Sequence, residues 1–370
     1  MILLFLDQLT ALWPPLANLS SLAARSGLAA VMAFSVALLL GPRLLRLLHR
    51  RDYIEQETKT FSDTLNAINA NKAPTPTMGG VMIVGAILIT GTVFGDLNND
   101  YVLLALLSTL GYGLIGFIDD WIKLRYPDRK GLQAAAKSGF QMLVAASLAF
   151  SVTFIFQRQP VEDLLAVHVP FSTMVFDLSG WAGLPHMVFV LLVVVGTSNA
   201  VNLTDGMDGL AAGSIVVAAL TMAVVCVAVG RADTLQIDLF YVPLSQELTV
   251  FCTAMAGATL GFLWFNAAPA LIYMGDTGSL PLGSLLGYVA VVTKHELVLV
   301  LIGGVFVMEA LSVITQVSVF KLSGGRRVFR CAPLHHHFQF AGVPNTRIVT
   351  RFWIVSVICA AAGLASLAVQ

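Results

Sequence analysis

Charge is what this chain most lacks. Only 11% of its 370 residues are Asp, Glu, Lys or Arg, while 57% are hydrophobic. A soluble domain carries roughly 25% charged residues, so less than half the usual charge is present to cover a water-exposed surface. The main solvent is therefore lipid. Cysteine is also sparse. Cys226, Cys252, Cys331 and Cys359 show no CxxC spacing and three lie in apolar runs, which argues for buried, unpaired thiols rather than a metal cluster or disulfide framework. No basic segment precedes the opening run Met1–Leu6, which meets Asp7 and then Pro14 and Pro15, so no cleavable signal peptide is expected. No GxxxxGK[ST] occurs, which removes the P-loop enzymes. The formal net charge of zero says little about partners, because the placement of charges matters more than their sum; no nucleic-acid partner is expected.

What the chain does have is long apolar runs. A membrane span needs about 20 apolar residues, and ten candidates follow: 26–47, 78–95, 102–122, 138–157, 185–201, 209–230, 248–265, 279–293, 296–320 and 350–369. The eighth is short, and the ninth carries Glu309 and Gln316. The expectation is an all-α, polytopic membrane protein of about ten helices. It forms a single domain over 1–370, with residues 1–20 lying at the interface. Taken alternately, one set of links (43–77, 119–137, 198–208, 264–280 and 321–351) holds 17 of the 21 basic residues. The other set, with both termini, holds Arg25, Arg158, Arg231 and Lys294. Basic excess marks the cytoplasmic side, so both termini are expected on the outer, periplasmic side.

Five stretches in the basic set do not read as plain connectors. In NKAPTPTMGG, Lys72 precedes two X-Pro bonds and a Gly pair, which fits a rigid ligand-contacting loop or simply a stiff turn before a helix. In GFIDDWIK, Asp119 and Asp120 end an apolar run with Lys123 on the same helical face as Asp119. A helix C-terminus disfavours anions, so a solvated internal ion pair or a bound divalent metal must compensate. NLTDGMDG presents Asn202, Asp205 and Asp208 at three-residue spacing, with Gly206 and Gly209 permitting a tight turn. A helix N-cap would explain one of these polar groups, not three. NAAPALIYMGDTGS carries Asn266, Tyr273 and Asp276, the last between glycines and suited to a hard cation or a helix N-cap. APLHHHFQF contributes His335, His336 and His337, which cannot all ligate one metal from a regular element. Phosphate contact or acid–base work fits them better.

Hard carboxylates, no cysteine cluster and flanking lysines point to Mg2+ with a phosphate-bearing substrate, and a site at the lipid boundary points to a lipid as second substrate. The rival of another class is an ion-coupled secondary transporter. Transporter sites lie near the midplane, often within internal repeats, whereas these acids cluster at one face and no repeat is evident.

At these five motifs, from about Arg43 to the C-terminus, the sequence resembles the muramoyl-pentapeptide branch of the polyprenyl-phosphate N-acetylhexosamine-1-phosphate transferase superfamily. TPTMGG, GFIDDWIK, NLTDGMDGLA, MGDTGSL and APLHHHF followed by RFWI carry the resemblance. It implies ten helices with both termini outside, and a cytoplasmic active site in the bacterial inner membrane. The implied reaction takes UDP-MurNAc-pentapeptide and undecaprenyl phosphate to lipid I and UMP with Mg2+, in cell-wall peptidoglycan synthesis. The alternative within the superfamily moves GlcNAc-1-phosphate. By resemblance, Asp276 is the Mg2+ ligand, Asp119 and Asp120 the acidic pair, and Asp119 the base toward the lipid phosphate. Asn202 and Asp205 match further active-site residues, Lys123 and Lys137 match phosphate-contacting cations, and His335 and His336 match active-site histidines. Lys72, Gly206, Asp208, Asn266 and Tyr273 match the uridine pocket, with Gln316 and His337 counted among the substrate contacts. A homodimer is implied only by the resemblance. The departures are Pro74 for a usual Gly, Tyr273 for a common Phe, Gln339 for a frequent acid, and an unusual 54–71.

Overall fold

In lipid every backbone N–H and C=O must be paired within its own segment, which makes helices of the long apolar runs. The computed structural model describes residues 18, 20–50, 54–55, 75–126, 131–235 and 239–367. Lys72 and nearly all of the interfacial segment expected over 1–20 lie outside the described residues.

The helices are α1 (Leu22–Arg50), α2 (Gly80–Phe94), α3 (Asp100–Arg125), α4 (Ala134–Gln157), α5 (Gly180–Thr204), α6 (Leu210–Gly230) and α7 (Leu248–Asn266). They continue with α8 (Asp276–Val292), α9 (Glu296–Ile302), α10 (Gly304–Leu322), α11 (Leu334–Phe340) and α12 (Asn345–Leu367). Each of the ten expected spans coincides with a helix, the ninth being broken at Gly303 into α9 and α10. Eight of the described helices (α1, α3 to α7, α10 and α12) are long and apolar enough to cross a membrane. The all-α expectation holds, apart from two small antiparallel pairs that the sequence did not announce. These are β1 (Ile54–Glu55) with β2 (Thr75–Pro76), and β3 (Ala166–His168) with β4 (Val175–Asp177).

Two of the ten run short. At 1.5 Å per residue, α2 and α8 span about 22 and 26 Å against a hydrocarbon core of roughly 30 Å. For α8 the reason is its position: all 17 of its residues are buried, between α2, α3, α5 and α6. Small residues let backbones approach there. A Cβ on Gly283 would stand 2.6 Å from the Cα of Ser198. Hydrogen bonds along its length fix α8 in depth and rotation. Ser198 Oγ donates to Leu280 O (2.9 Å), Ser108 Oγ bonds Ser284 Oγ (3.2 Å), and Tyr288 OH donates to Tyr101 O (2.8 Å). This buried helix carries Asp276 at its N-terminus.

The helix reversals sort the connections into two ends. Residues 126 and 131–133, 205–209, 267–275 and 323–344 lie at one end with Thr75–Gly79; the β3–β4 hairpin, 231–235, 239–247 and 293–295 lie at the other. All the described motif residues sit at or beside the first end.

Candidate active site

The two adjacent acids at the end of α3 meet different fates, because successive helical residues point about 100° apart. Asp120 is buried and faces the first turn of α8. It accepts from Asp276 N (3.2 Å), Thr277 N (2.9 Å) and Thr277 Oγ1 (2.7 Å). These amides have no intrahelical partner, so Asp120 caps α8 from another helix, with the sign the helix dipole prefers. Gly275 makes this possible. Its φ is +71°, and a Cβ there would meet Asp120 Oδ2 at 2.5 Å.

Asp119 turns toward the cations. Its Oδ2 lies 2.7 Å from Lys123 Nζ and 3.7 Å from Lys137 Nζ, and its Oδ1 accepts from Leu132 N (2.9 Å). Asp276 is the hub. Lys123 Nζ reaches its Oδ2 at 3.0 Å, Lys137 Nζ contacts the same oxygen, and Asn202 Nδ2 donates to its Oδ1 (2.6 Å) and to Ser279 Oγ (2.8 Å). Thus α3, α4, α5 and α8 each supply a polar group to one point.

Oxygen atoms of Asp119, Asp120 and Asp276 lie within 4.8 Å of one another. Three carboxylates stand against two ammonium groups, which leaves a negative excess in a partly buried site. This all-oxygen donor set fits a hard divalent cation, with Asp276 and Asp119 the better placed because Asp120 is already committed to α8.

A second layer surrounds this hub. Asn266 Oδ1 accepts from Gly209 N (2.9 Å) while its Nδ2 donates to Ile272 O (2.9 Å), and Asp208 Oδ2 accepts from Ala270 N (3.2 Å). The 202–209 and 266–276 motifs are thereby stitched together, with Asp205 at the α5 C-terminus. The TPTMGG segment joins them: Tyr273 N donates to Pro76 O (2.8 Å), Gly79 N to Tyr273 O (2.8 Å) and Gly80 N to Met274 O (2.9 Å). The half-buried Tyr273 ring is carried on this pairing.

His335 enters from α11. It is fully buried, and a Cβ on Gly206 would stand 2.2 Å from its Nε2, so glycine is required for this approach. Its backbone N donates to Glu309 Oε1 (3.1 Å), and its Nδ1 lies 3.2 Å from Glu309 Oε2. Glu309, at 0% exposure on α10, is the residue whose role the sequence reading missed. The signal was present, since an acid inside an apolar span is costly unless it works. Thr277 and Ser279 were missed as well. His336 bonds Gln339 (2.9 Å) with its ring 4.2 Å from that of His335.

Two residues expected among the substrate contacts also hold the 323–333 loop. Gln316 Oε1 accepts from Val328 N (3.2 Å) and Phe329 N (2.9 Å), and His337 Nδ1 accepts from Arg330 N (3.1 Å).

The sequence matches known proteins across this region and beyond it. The family model described as "Glycosyl transferase family 4" matches residues 102–294, which hold the hub. Phospho-N-acetylmuramoyl-pentapeptide-transferase of Oleidesulfovibrio alaskensis is 43% identical over 360 residues, 96% of each chain. The same-named protein of Thermodesulfovibrio yellowstonii is 43% identical over 344 residues, 93% of this chain and 92% of that one. That of Nitratidesulfovibrio vulgaris is 44% identical over 351 residues, with the same coverage. Identity at this level across nearly the whole chain, over a bundle that converges three acids and two lysines at one end of a buried helix, means that the chain belongs to the phospho-N-acetylmuramoyl-pentapeptide-transferase family.

Proposed function

We propose that this protein transfers phospho-MurNAc-pentapeptide from UDP-MurNAc-pentapeptide to undecaprenyl phosphate, releasing UMP and forming lipid I for peptidoglycan synthesis. The observation that carries the site assignment is the convergence on Asp276 of Lys123, Lys137 and Asn202 from three other helices. The excess of basic residues in the links at that end supports a cytoplasmic orientation.

In the reaction an oxygen of the lipid phosphate attacks the sugar-bearing β-phosphorus of the nucleotide. The bond from that phosphorus to the bridging oxygen breaks, and UMP leaves with the electron pair. Asp276 with Asp119 would hold Mg2+, which would supply charge neutralisation at the transferring phosphoryl group. Lys123 and Lys137, drawn to the carboxylates, stand ready to contact phosphate oxygens once a cation shares that charge. Asp119 accepts the proton of a monoprotonated lipid phosphate. His335 and His336, held by Glu309 and Gln339, line the approach with donors. Asn266, Asp208, Gly206 and Tyr273 form the uridine side, with Lys72 a further contact by resemblance.

Direct attack is favoured over a covalent aspartyl intermediate because two bound phosphates, once brought together, need mainly positioning and charge stabilisation. Asp120 is in addition committed to α8.

The test is UMP release by purified protein in detergent, given both substrates with and without Mg2+. UMP appears only with both substrates and metal. Turnover of UDP-GlcNAc in place of the peptide-bearing donor overturns the choice of substrate, and a phosphosugar trapped on Asp119 or Asp120 overturns direct attack.

A further inference from the structure

At the end of the bundle away from the carboxylates, the segment from Val169 to Leu184 holds one charged residue, Asp177, and that acid is used locally, accepting from Ser179 N (2.8 Å) and Ser179 Oγ (2.9 Å). The segment's inner side is fastened down. Leu164, Ala166 and Val167 are buried against the bundle, and the His168 ring lies 4.8 Å from that of Phe240. Its outer side is apolar and uncovered: Phe171, Met174, Phe176 and Trp181 are all exposed, Trp181 at 88%. Trp181 is not on a loose end. Trp181, Ala182 and Gly183 all hold left-handed backbone, and the turn is clamped by Gln157 Nε2 donating to Ala182 O (2.9 Å) and Gly183 N to Ser179 O (3.1 Å).

Exposed apolar residues continue along the neighbouring helices α4 and α5, which are long and apolar enough to cross a membrane. Leu184, Val188 and Leu192, at four-residue spacing along α5, are exposed, and Phe150 and Phe154 are exposed on neighbouring α4. At the end of α4 the Arg158 guanidinium sits 3.7 Å over the Phe154 ring. That is where a basic side chain places its charge among headgroups while its stem stays in the apolar zone. Aromatic rings of mixed character concentrate at this depth.

We propose that the β3–β4 hairpin and the Trp181 turn form an interfacial anchor. Phe171, Met174, Phe176 and Trp181 seat in the headgroup–acyl boundary of the leaflet at the end opposite the carboxylate hub. The occupant is lipid, because this patch is the upper rim of the lipid-facing flank of α4 and α5. The inference rests on the membrane-spanning fold and not on the reaction proposed above. Its anchoring strength scales with the apolar area seated.

The test compares intact protein with Trp181→Phe in vesicles of phosphatidylglycerol, with and without phosphatidylcholine brominated near the headgroup end of its acyl chains. The fluorescence component lost on Trp181→Phe is expected to be quenched by bromolipid and protected from aqueous iodide. Phe176→Ser is expected to lower the docked-to-undocked ratio roughly tenfold, the effect of withdrawing one ring, so that iodide gains access. Iodide quenching without bromolipid quenching overturns the proposal in favour of a solvated hairpin. Protection from both quenchers overturns it in favour of a second copy or another protein covering the patch. Parent-like thermal unfolding and elution in detergent show that the variants are folded, so a failure of docking is not mistaken for a failure to fold.

Discussion

Both ends of the bundle bury lysine against carboxylate, and they do so in opposite ways. At the α8 N-terminus, Lys123 and Lys137 keep 37% and 21% of their side chains exposed, and face three acids. Just beyond the α8 C-terminus, Lys294 lies 2.8 Å from Glu296, with side chains 0% and 1% exposed. His186 Nε2 stands 3.4 Å from that ammonium, and Thr153 Oγ1 bonds His186 Nδ1 (2.8 Å). One cluster has excess negative charge and an opening to water. The other is matched one to one and sealed. Balance and access, rather than the presence of buried charge, separate a site that takes up ligands from a pair that joins helices, since breaking a buried pair leaves an uncompensated charge.

The sharpest way to break the comparison is to empty the hub. Asp276→Ala should lower turnover by about a thousandfold or more, the scale of losing a metal's charge stabilisation. It should also abolish saturable Mn2+ binding measured by electron paramagnetic resonance. Full activity with intact metal binding would remove Asp276 as the ligand. Asp119→Asn comes next, with a loss of roughly 10² to 10⁴-fold in kcat, as for a general base, while uridine-nucleotide affinity stays near that of the parent protein. Loss of nucleotide binding would instead make Asp119 a donor contact.

How much of this was legible in the sequence follows from the cost of each feature. Apolar runs of span length admit one solution in lipid, so the helices were readable, and the Asp119–Asp120 pair was readable because acids ending such runs require compensation. Three things were not. Glu309 looked like a blemish in the ninth span, because only the tertiary arrangement brings His335 to it. Gln316 and His337 each give one side-chain atom to the 323–333 loop, a choice of side-chain direction that spacing does not encode. Asp119 could be set beside Lys123 from spacing alone, but Asp120 becomes a helix cap only when α8 is set beside α3.

That last distinction yields the next largest effect. If Asp120 acts by holding α8, Thr277→Val, which removes one hydrogen bond to it, should cost about tenfold in kcat, the worth of a bond to a charged group. Combining it with Asp120→Asn should cost less than the product of the two separate losses. Mn2+ affinity should fall little in either single variant. A collapse of metal affinity in Asp120→Asn with Thr277→Val silent would make Asp120 a ligand rather than a cap.

The smallest expected effect on turnover lies at the sealed end. Lys294→Met leaves Glu296 buried without its partner, a loss of about 3–5 kcal/mol by analogy with other broken buried pairs. Expression and resistance to thermal unfolding in detergent should drop accordingly. Adding Glu296→Leu should restore much of that stability, since two apolar side chains of similar volume carry no unmatched charge. Activity per folded molecule should match the parent protein in the double variant, because α8 remains held in depth by Tyr288 on Tyr101 and Ser198 on Leu280. A double variant that is stable yet slow, with an unchanged KM, would mean that the sealed pair sets the height of Asp276 through the length of α8. The two ends would then be one device rather than two.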